Sequence, residues 1–120
     1  MSDPHQALQA SLQREEAAVQ TVNTLSAALE SLRRAAQLEP KNSRYSYIYA
    51  LGVNRQGDAE QAVDILSRAL INNPKDRDLL IALVTINRDR GELSQARVFA
   101  RQLVATFPND SSVKRLLKSL

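Results

Sequence analysis

Residues 47–74 read YIYALGVNRQGDAEQAVDILSRALINNP, and residues 81–108 read IALVTINRDRGELSQARVFARQLVATFP. At matching places the two stretches carry a glycine, an alanine five residues later and a final proline. Prolines at 40, 74 and 108 extend the same spacing of 34 residues along the chain. A fixed period of this length is typical of stacked helical repeats, in which each unit is a pair of helices. The period therefore predicts an all-α fold made of duplicated helix pairs.

Residues that end or begin helices recur with the same period. Gly57 and Gly91 follow helical runs and suit the positive φ that ends a helix. Asp58, directly after the first glycine, suits the N-cap of the next helix. Pro74 and Pro108 end the second helix of each unit, because proline has no N–H to donate and clashes inside a helix. Each unit is therefore predicted to be a helix, a tight turn, a helix and a proline turn.

The better-matched unit resembles a tetratricopeptide repeat. The resemblance lies in the segments Tyr47–Gly52, Gln56–Asp58, Glu60–Ala62, Arg68–Leu70 and Asn73–Pro74. The next unit resembles the same family, with Leu103 where a small alanine is usual and Ala100 where a large apolar residue is usual. We interpret this pair as a compensating size swap. The resemblance implies a right-handed superhelical stack of antiparallel helix pairs, a tetratricopeptide-like α-solenoid, over about 100 residues.

One domain of about seven helices is expected over residues 1–120. Its expected parts are a degenerate repeat at 9–42, repeats at 43–76 and 77–110, and a capping helix at 111–120. The degenerate repeat is predicted to contain helices over about 4–22 and 25–38, with a turn at Asn23 and Thr24 as the next N-cap. Glu15 and Glu16 do not match the family in its first helix, and we interpret this repeat as an N-terminal cap.

Two helices have informative apolar patterns. The helix predicted over about 77–89 is apolar nearly all round, which predicts a place in the middle of the stack. The first helix carries a stripe of apolar residues that is broken at Glu15. The stripe consists of Leu8, Leu12, Val19 and Val22. Pairing with a second copy is one interpretation of this stripe, and packing within the domain is the preferred one.

One face of the first helix in each pair carries the candidate binding residues. Offsets of four, seven and eight residues place these side chains on one helix face. They are Tyr47, Leu51, Asn54 and Arg55 on one helix and Ile81, Thr85, Arg88 and Asp89 on the other, with Arg44 expected at a rim. In tetratricopeptide repeats these positions line the concave groove that accepts a peptide or helix. The alternative is that they form the solvated side of the helices.

Composition argues against catalysis, cofactors and nucleic acid. The chain has no cysteine and one histidine, His5, so the Cys/His sets that hold zinc are missing. Its three glycines are isolated, and no phosphate-binding loop is present. We therefore expect no enzyme activity, no catalytic residue, no metal and no cofactor. A net charge of +3 and 4% aromatic residues also argue against a nucleic-acid partner.

The preferred function is a non-catalytic protein–protein interaction module, an adaptor or scaffold whose partner the residues do not identify. The alternative is a structural or oligomerisation segment of a larger protein with tetratricopeptide repeats. A homodimer through the stack ends is a further expectation if the last helix leaves apolar surface uncovered. No apolar run approaches the roughly 18 residues of a membrane span, so no membrane insertion is expected. A cytoplasmic location is expected if the chain is the whole protein.

Overall fold

The structure, a computed structural model, describes residues 4–120 apart from the side chains of Thr21 and Val22. Along these residues the chain forms six α-helices and no strand. They are α1 (Pro4–Leu38), α2 (Ser43–Arg55), α3 (Ala59–Asn72), α4 (Arg77–Asp89), α5 (Leu93–Thr106) and α6 (Ser111–Lys118). The predicted all-α class is confirmed, with six helices in the described part of the chain where seven were expected.

The chain divides into two compact units, of which the first ends at Ser31 and the second covers Leu32–Leu120. In the second unit α2 packs against α3, α4 against α5, and α3 and α5 pack against the helices that follow them. Residues 56–58 connect α2 to α3, and residues 90–92 connect α4 to α5. Such short connections make the two helices of each pair antiparallel. The second unit is therefore a stack of helix pairs, as the resemblance implies.

α1 is one continuous helix of 35 residues. The predicted turn at Asn23 is therefore wrong, because the chain continues as a helix through this position. A left-handed conformation costs a residue with a Cβ about 1–2 kcal/mol, whereas asparagine inside a helix costs less than ~0.7 kcal/mol relative to alanine. Thr24, expected to cap a second helix, instead donates its hydroxyl proton to the Gln20 carbonyl oxygen at 2.8 Å.

The predicted turns of the second unit are confirmed. Gly57 and Gly91 have φ of +96° and +80°. Asp58 caps α3, because its side chain accepts a hydrogen bond of 3.0 Å from the backbone N–H of Gln61. Each of the three helices that follow a proline turn is also capped by a side chain, which accepts a hydrogen bond from a backbone N–H. They are Asn42 for α2, Asp76 for α4 and Asp110 for α6.

Replacing Asp58 with alanine should lower the free energy of unfolding by about 1 kcal/mol, because an N–H at the start of α3 loses its acceptor. Glu92 occupies the same place before α5, but its side chain makes no capping hydrogen bond. Glu92→Ala is therefore a matched control and should change the free energy by less than about 0.5 kcal/mol. Urea unfolding measures both values, and equal losses would contradict the assignment of the cap.

The apolar core has two parts that meet at α4. Leu79 and Leu83 belong to a buried cluster with side chains of α2 and α3. Leu80 and Val84 belong to a second buried cluster with side chains of α5 and α6. The predicted position of this helix in the middle of the stack is confirmed. Ala100 and Leu103, the interpreted size swap, are both fully buried in the second cluster.

Successive repeats are joined by a polar link that itself follows the 34-residue period. The Ser43 hydroxyl donates to Asp76 Oδ2 at 2.7 Å, and Arg77 Nε donates to Asp110 Oδ2 at 3.0 Å. In each case the first residue of one helix reaches the N-cap carboxylate of the helix that begins the next unit. The hydrogen bond from Arg77, followed by that from the Val113 N–H, lowers the pKa of Asp110 below its ordinary value of 3.8.

This pKa shift predicts a loss of stability in acid. Because the folded state binds the Asp110 proton less tightly than the unfolded state, the contribution of Asp110 is complete above pH 3.8 and is lost as the pH falls through its lowered folded value. Asp110→Asn keeps a capping oxygen and removes the charge. We expect natural and variant chains to differ in urea midpoint at neutral pH and to converge in acid. A constant difference at every pH would contradict this role.

Candidate functional site

The nine candidate residues lie on two helices that pack against each other, α2 and α4. Six of the nine are half-buried, and three are exposed. The half-buried ones are Tyr47, Leu51, Asn54, Ile81, Thr85 and Arg88, and the exposed ones are Arg44, Arg55 and Asp89. We call these nine residues the α2–α4 face. Their use in binding stays a prediction.

The apolar part of the α2–α4 face is held from behind by the core. Tyr47 and Leu51 pack against the buried cluster of α2, α3 and α4. Ile81 packs against the cluster that α4 forms with α5 and α6. Each side chain is therefore fixed on one side while part of its surface remains accessible. A surface of this kind offers a partner rigid apolar contacts at a low cost in side-chain entropy.

The polar part of the α2–α4 face is partly engaged within its own helix. The Thr85 hydroxyl donates to the Ala82 carbonyl oxygen at 3.2 Å. Arg88 Nε lies 3.2 Å from Asp89 Oδ1, and the Asp89 side chain is 72% exposed. An exposed ion pair of this kind is weak, and a guanidinium has five N–H donors, of which this contact uses one. Arg88 therefore keeps the capacity to bind a carboxylate of a partner.

α6 holds two positions that correspond to this face in the 34-residue period. Arg115 lies 34 residues after Ile81, and Ser119, at the end of α6, lies 34 residues after Thr85. Arg115 is exposed and donates to the Ser112 hydroxyl oxygen at 3.4 Å. The period that identifies the fold also predicts this correspondence, which the interpretation of α6 as a capping helix leaves out.

Two depressions of the second unit lie on other surfaces. A pocket of about 310 Å³ is formed by the end of α1 with α2 and α3, and Tyr49, Ile65 and Arg68 are among its lining residues. An open groove of about 770 Å³ lies between α3 and α5, lined by carboxylates together with Arg90 and Phe99. Neither depression includes a residue of the α2–α4 face.

One buried polar residue was also missed. Asn87 on α4 is 1% exposed, donates to the Leu83 carbonyl oxygen at 2.8 Å and accepts a bond of 3.4 Å from Arg90. Within the described residues no buried side-chain polar atom lacks a hydrogen-bond partner. Asn87 therefore has a structural role in positioning the turn after α4, and no ligand is needed to satisfy it.

Two further properties of residues 4–120 bear on function. No group of three or more His, Cys, Asp or Glu side chains in this part of the chain could hold a metal ion. None of its helices combines the length and hydropathy that a membrane span requires.

Comparison with known families gives two overlapping matches. A family model described as Tetratricopeptide repeat matches residues 54–120, and a second model with the same description matches residues 21–77. No curated protein matches the chain. The first match alone covers more than half of the chain and includes α3 to α6. The second begins within α1, beyond the segment whose first-helix residues departed from the family pattern.

Proposed function

Because the chain belongs to the tetratricopeptide repeat family, whose repeats generally mediate protein interactions, we propose that it is a non-catalytic module that binds a peptide or helix on its α2–α4 face. In stacks of helix pairs the first helix of each pair lines the concave side, where partners bind. The observation that carries the proposal is the half-burial of six face residues on two helices in contact.

The chemistry of the α2–α4 face indicates the kind of segment it binds. Tyr47 is a rigid aromatic anchor for an apolar side chain of the partner. The Asn54 amide can hydrogen-bond an extended backbone, and Arg55 and Arg88 can each hold a carboxylate in two-point fashion. The preferred ligand is therefore a peptide or helix with one large apolar side chain and an acidic residue or carboxyl terminus.

A second candidate function is a structural or oligomerisation segment within a larger assembly. The observation that favours it is at α6, where Leu116, Leu117 and Leu120 are only half-buried. Apolar surface therefore remains at this end of the described chain, and a second copy could cover it. For this function, substitutions at Leu116 and Leu117 would matter more than substitutions on the α2–α4 face.

Capture of partners from a lysate of the source cells tests the proposal with three immobilised chains. The first is the natural chain, and the second is Tyr47→Ala/Arg55→Ala/Arg88→Ala. The third, Arg68→Ala/Ile71→Ala/Arg101→Ala, is a matched control that also loses two arginines and one large apolar residue, but from α3 and α5. All three must first show equal helicity and melting.

We expect a partner that the natural and control chains retain and the α2–α4 variant loses by about tenfold or more, the effect of removing interface hot spots. Equal retention by the two variants would contradict the proposal and place the site on another surface. Capture of no protein by any of the three chains would favour the structural function.

A further inference from the structure

The N-terminal part of α1 carries large apolar side chains that are exposed. Leu8, Leu12 and Val19, which share one face of the helix, have 59%, 50% and 58% of their surface accessible. These three residues of the predicted stripe are therefore exposed, and the side chain of Val22 lies outside the described residues. Single exposed apolar residues are ordinary, but a row along one helix indicates a surface that another element covers.

The spacing of this row is that of a coiled coil. Positions separated alternately by four and three residues lie on one helix face, as the a and d positions of heptads do. The positions are Leu8, Leu12, Glu15, Val19, Val22, Ser26 and Leu29. They span about three heptads, the least that makes such a pattern meaningful. α1 continues through all of them without a break, which is the backbone that a coiled coil requires.

We propose that this segment, residues 4–31, pairs with the same segment of a second copy of the chain. The charges beside the stripe favour a like partner. Within this segment only Arg14, Glu15, Glu16 and Glu30 carry a formal charge at neutral pH, and the other polar side chains are uncharged. Apart from Glu15 in the seam, two copies therefore meet with little like-charge repulsion, and no block of one sign selects an oppositely charged helix.

Glu15 gives the pairing a recognisable weak point. It stands on the stripe between Leu12 and Val19, and a carboxylate in the seam between two helices costs stability. A polar residue at such a position in a coiled coil typically fixes register while it weakens the pair. We therefore expect a weak dimer that forms as the protein concentration rises, and a stronger dimer when Glu15 is replaced by leucine.

Sedimentation equilibrium of the full chain, over a wide range of concentration, tests this pairing with three variants. Leu12→Ser/Val19→Ser should remain monomeric where the natural chain dimerises. Glu15→Leu should tighten the dimer by about tenfold or more. Gln13→Leu is the matched control, because it adds the same side chain to the opposite face of the helix and should leave the dimer unchanged. Circular dichroism verifies that all variants keep their helix content.

Several results would overturn the pairing. One is a natural chain and a Glu15→Leu variant that both stay monomeric at every concentration. Another is equal tightening by Glu15→Leu and Gln13→Leu, which would indicate non-specific association. A dimer that survives Leu12→Ser/Val19→Ser and is lost with Leu116→Ser/Leu117→Ser would place the contact at α6. A monomer that Leu12→Ser/Val19→Ser makes less stable to heat would show the stripe covered within one chain.

Discussion

Replacing Leu83 with alanine should lower the free energy of unfolding by about 3 kcal/mol. Leu83 is fully buried and lies in the cluster that joins α4 to α2 and α3. The substitution takes an isopropyl group out of a packed interior and leaves a cavity that neighbouring helices fill only in part. Because α4 contributes to both buried clusters, the loss should appear in the unfolding of the whole second unit.

Urea unfolding followed by circular dichroism measures this loss, and Ile71→Ala is the control. Ile71 is 79% exposed on α3, so the same kind of truncation should change the free energy by less than about 0.5 kcal/mol. A loss below about 1 kcal/mol for Leu83→Ala would be smaller than core truncations produce. It would mean that α4 is not packed between the two helix pairs.

Replacing Gly91 should destabilise the turn between α4 and α5, and the size of the loss should depend on how well the new residue adopts a positive φ. Gly91 has a φ of +80°, and a Cβ added there would meet no atom within 4 Å. The cost therefore comes from the positive φ and not from a collision with a neighbour. We expect Gly91→Ala to cost about 1–2 kcal/mol, Gly91→Val to cost more, and Gly91→Asn to cost least, because asparagine tolerates this conformation best.

Thermal and urea unfolding of the three variants at this one position provide the comparison. Equal losses for asparagine and alanine would show that the positive φ is not the cause of the destabilisation. No loss for valine would mean that the turn adopts another conformation. Gly57, with a φ of +96° in the preceding turn, should give the same order.

The features that sequence predicted well are those that depend on a few neighbouring residues. The conformation of a turn depends mainly on the residues within it. The positive φ of Gly57 and Gly91 and the capping hydrogen bond of Asp58 therefore agree with the prediction. The middle position of α4 followed from its composition, since a helix that is apolar nearly all round must be covered on several sides. Neither inference requires knowledge of contacts between residues that are far apart in the sequence.

The prediction failed where the repeat pattern is weak. Asn23 was given the role of the turn glycines because it occupies their place in the period, but it lies within a continuous helix. The period shows that Asn23 corresponds to the turn glycines, but asparagine lacks the conformational freedom of glycine at this position. The links from Ser43 to Asp76 and from Arg77 to Asp110 were missed for another reason. They join side chains 33 residues apart, and only the stacking of repeats brings these together.

The sequence predicted which residues belong to the candidate site, but it did not predict which contacts they make. Helical offsets placed eight of the nine residues on one side of α2 and α4, with Arg44 expected at a rim, and six of the nine are half-buried in the structure. The offsets did not show that Thr85 and Arg88 have partners within α4. They also leave out Arg115, which corresponds to Ile81 in the 34-residue period, because α6 is interpreted as a capping helix.

Site-specific photo-crosslinking tests most directly whether the α2–α4 face is the working surface. A photoreactive phenylalanine derivative replaces Tyr47 in one chain and Val98, a residue of α5 that is 46% exposed, in another. Both chains are irradiated in source-cell lysate, and the adducts are compared on gels and by mass spectrometry. We expect a discrete adduct from position 47 that position 98 does not give. A discrete adduct from position 98 with none from position 47 would contradict binding on the α2–α4 face.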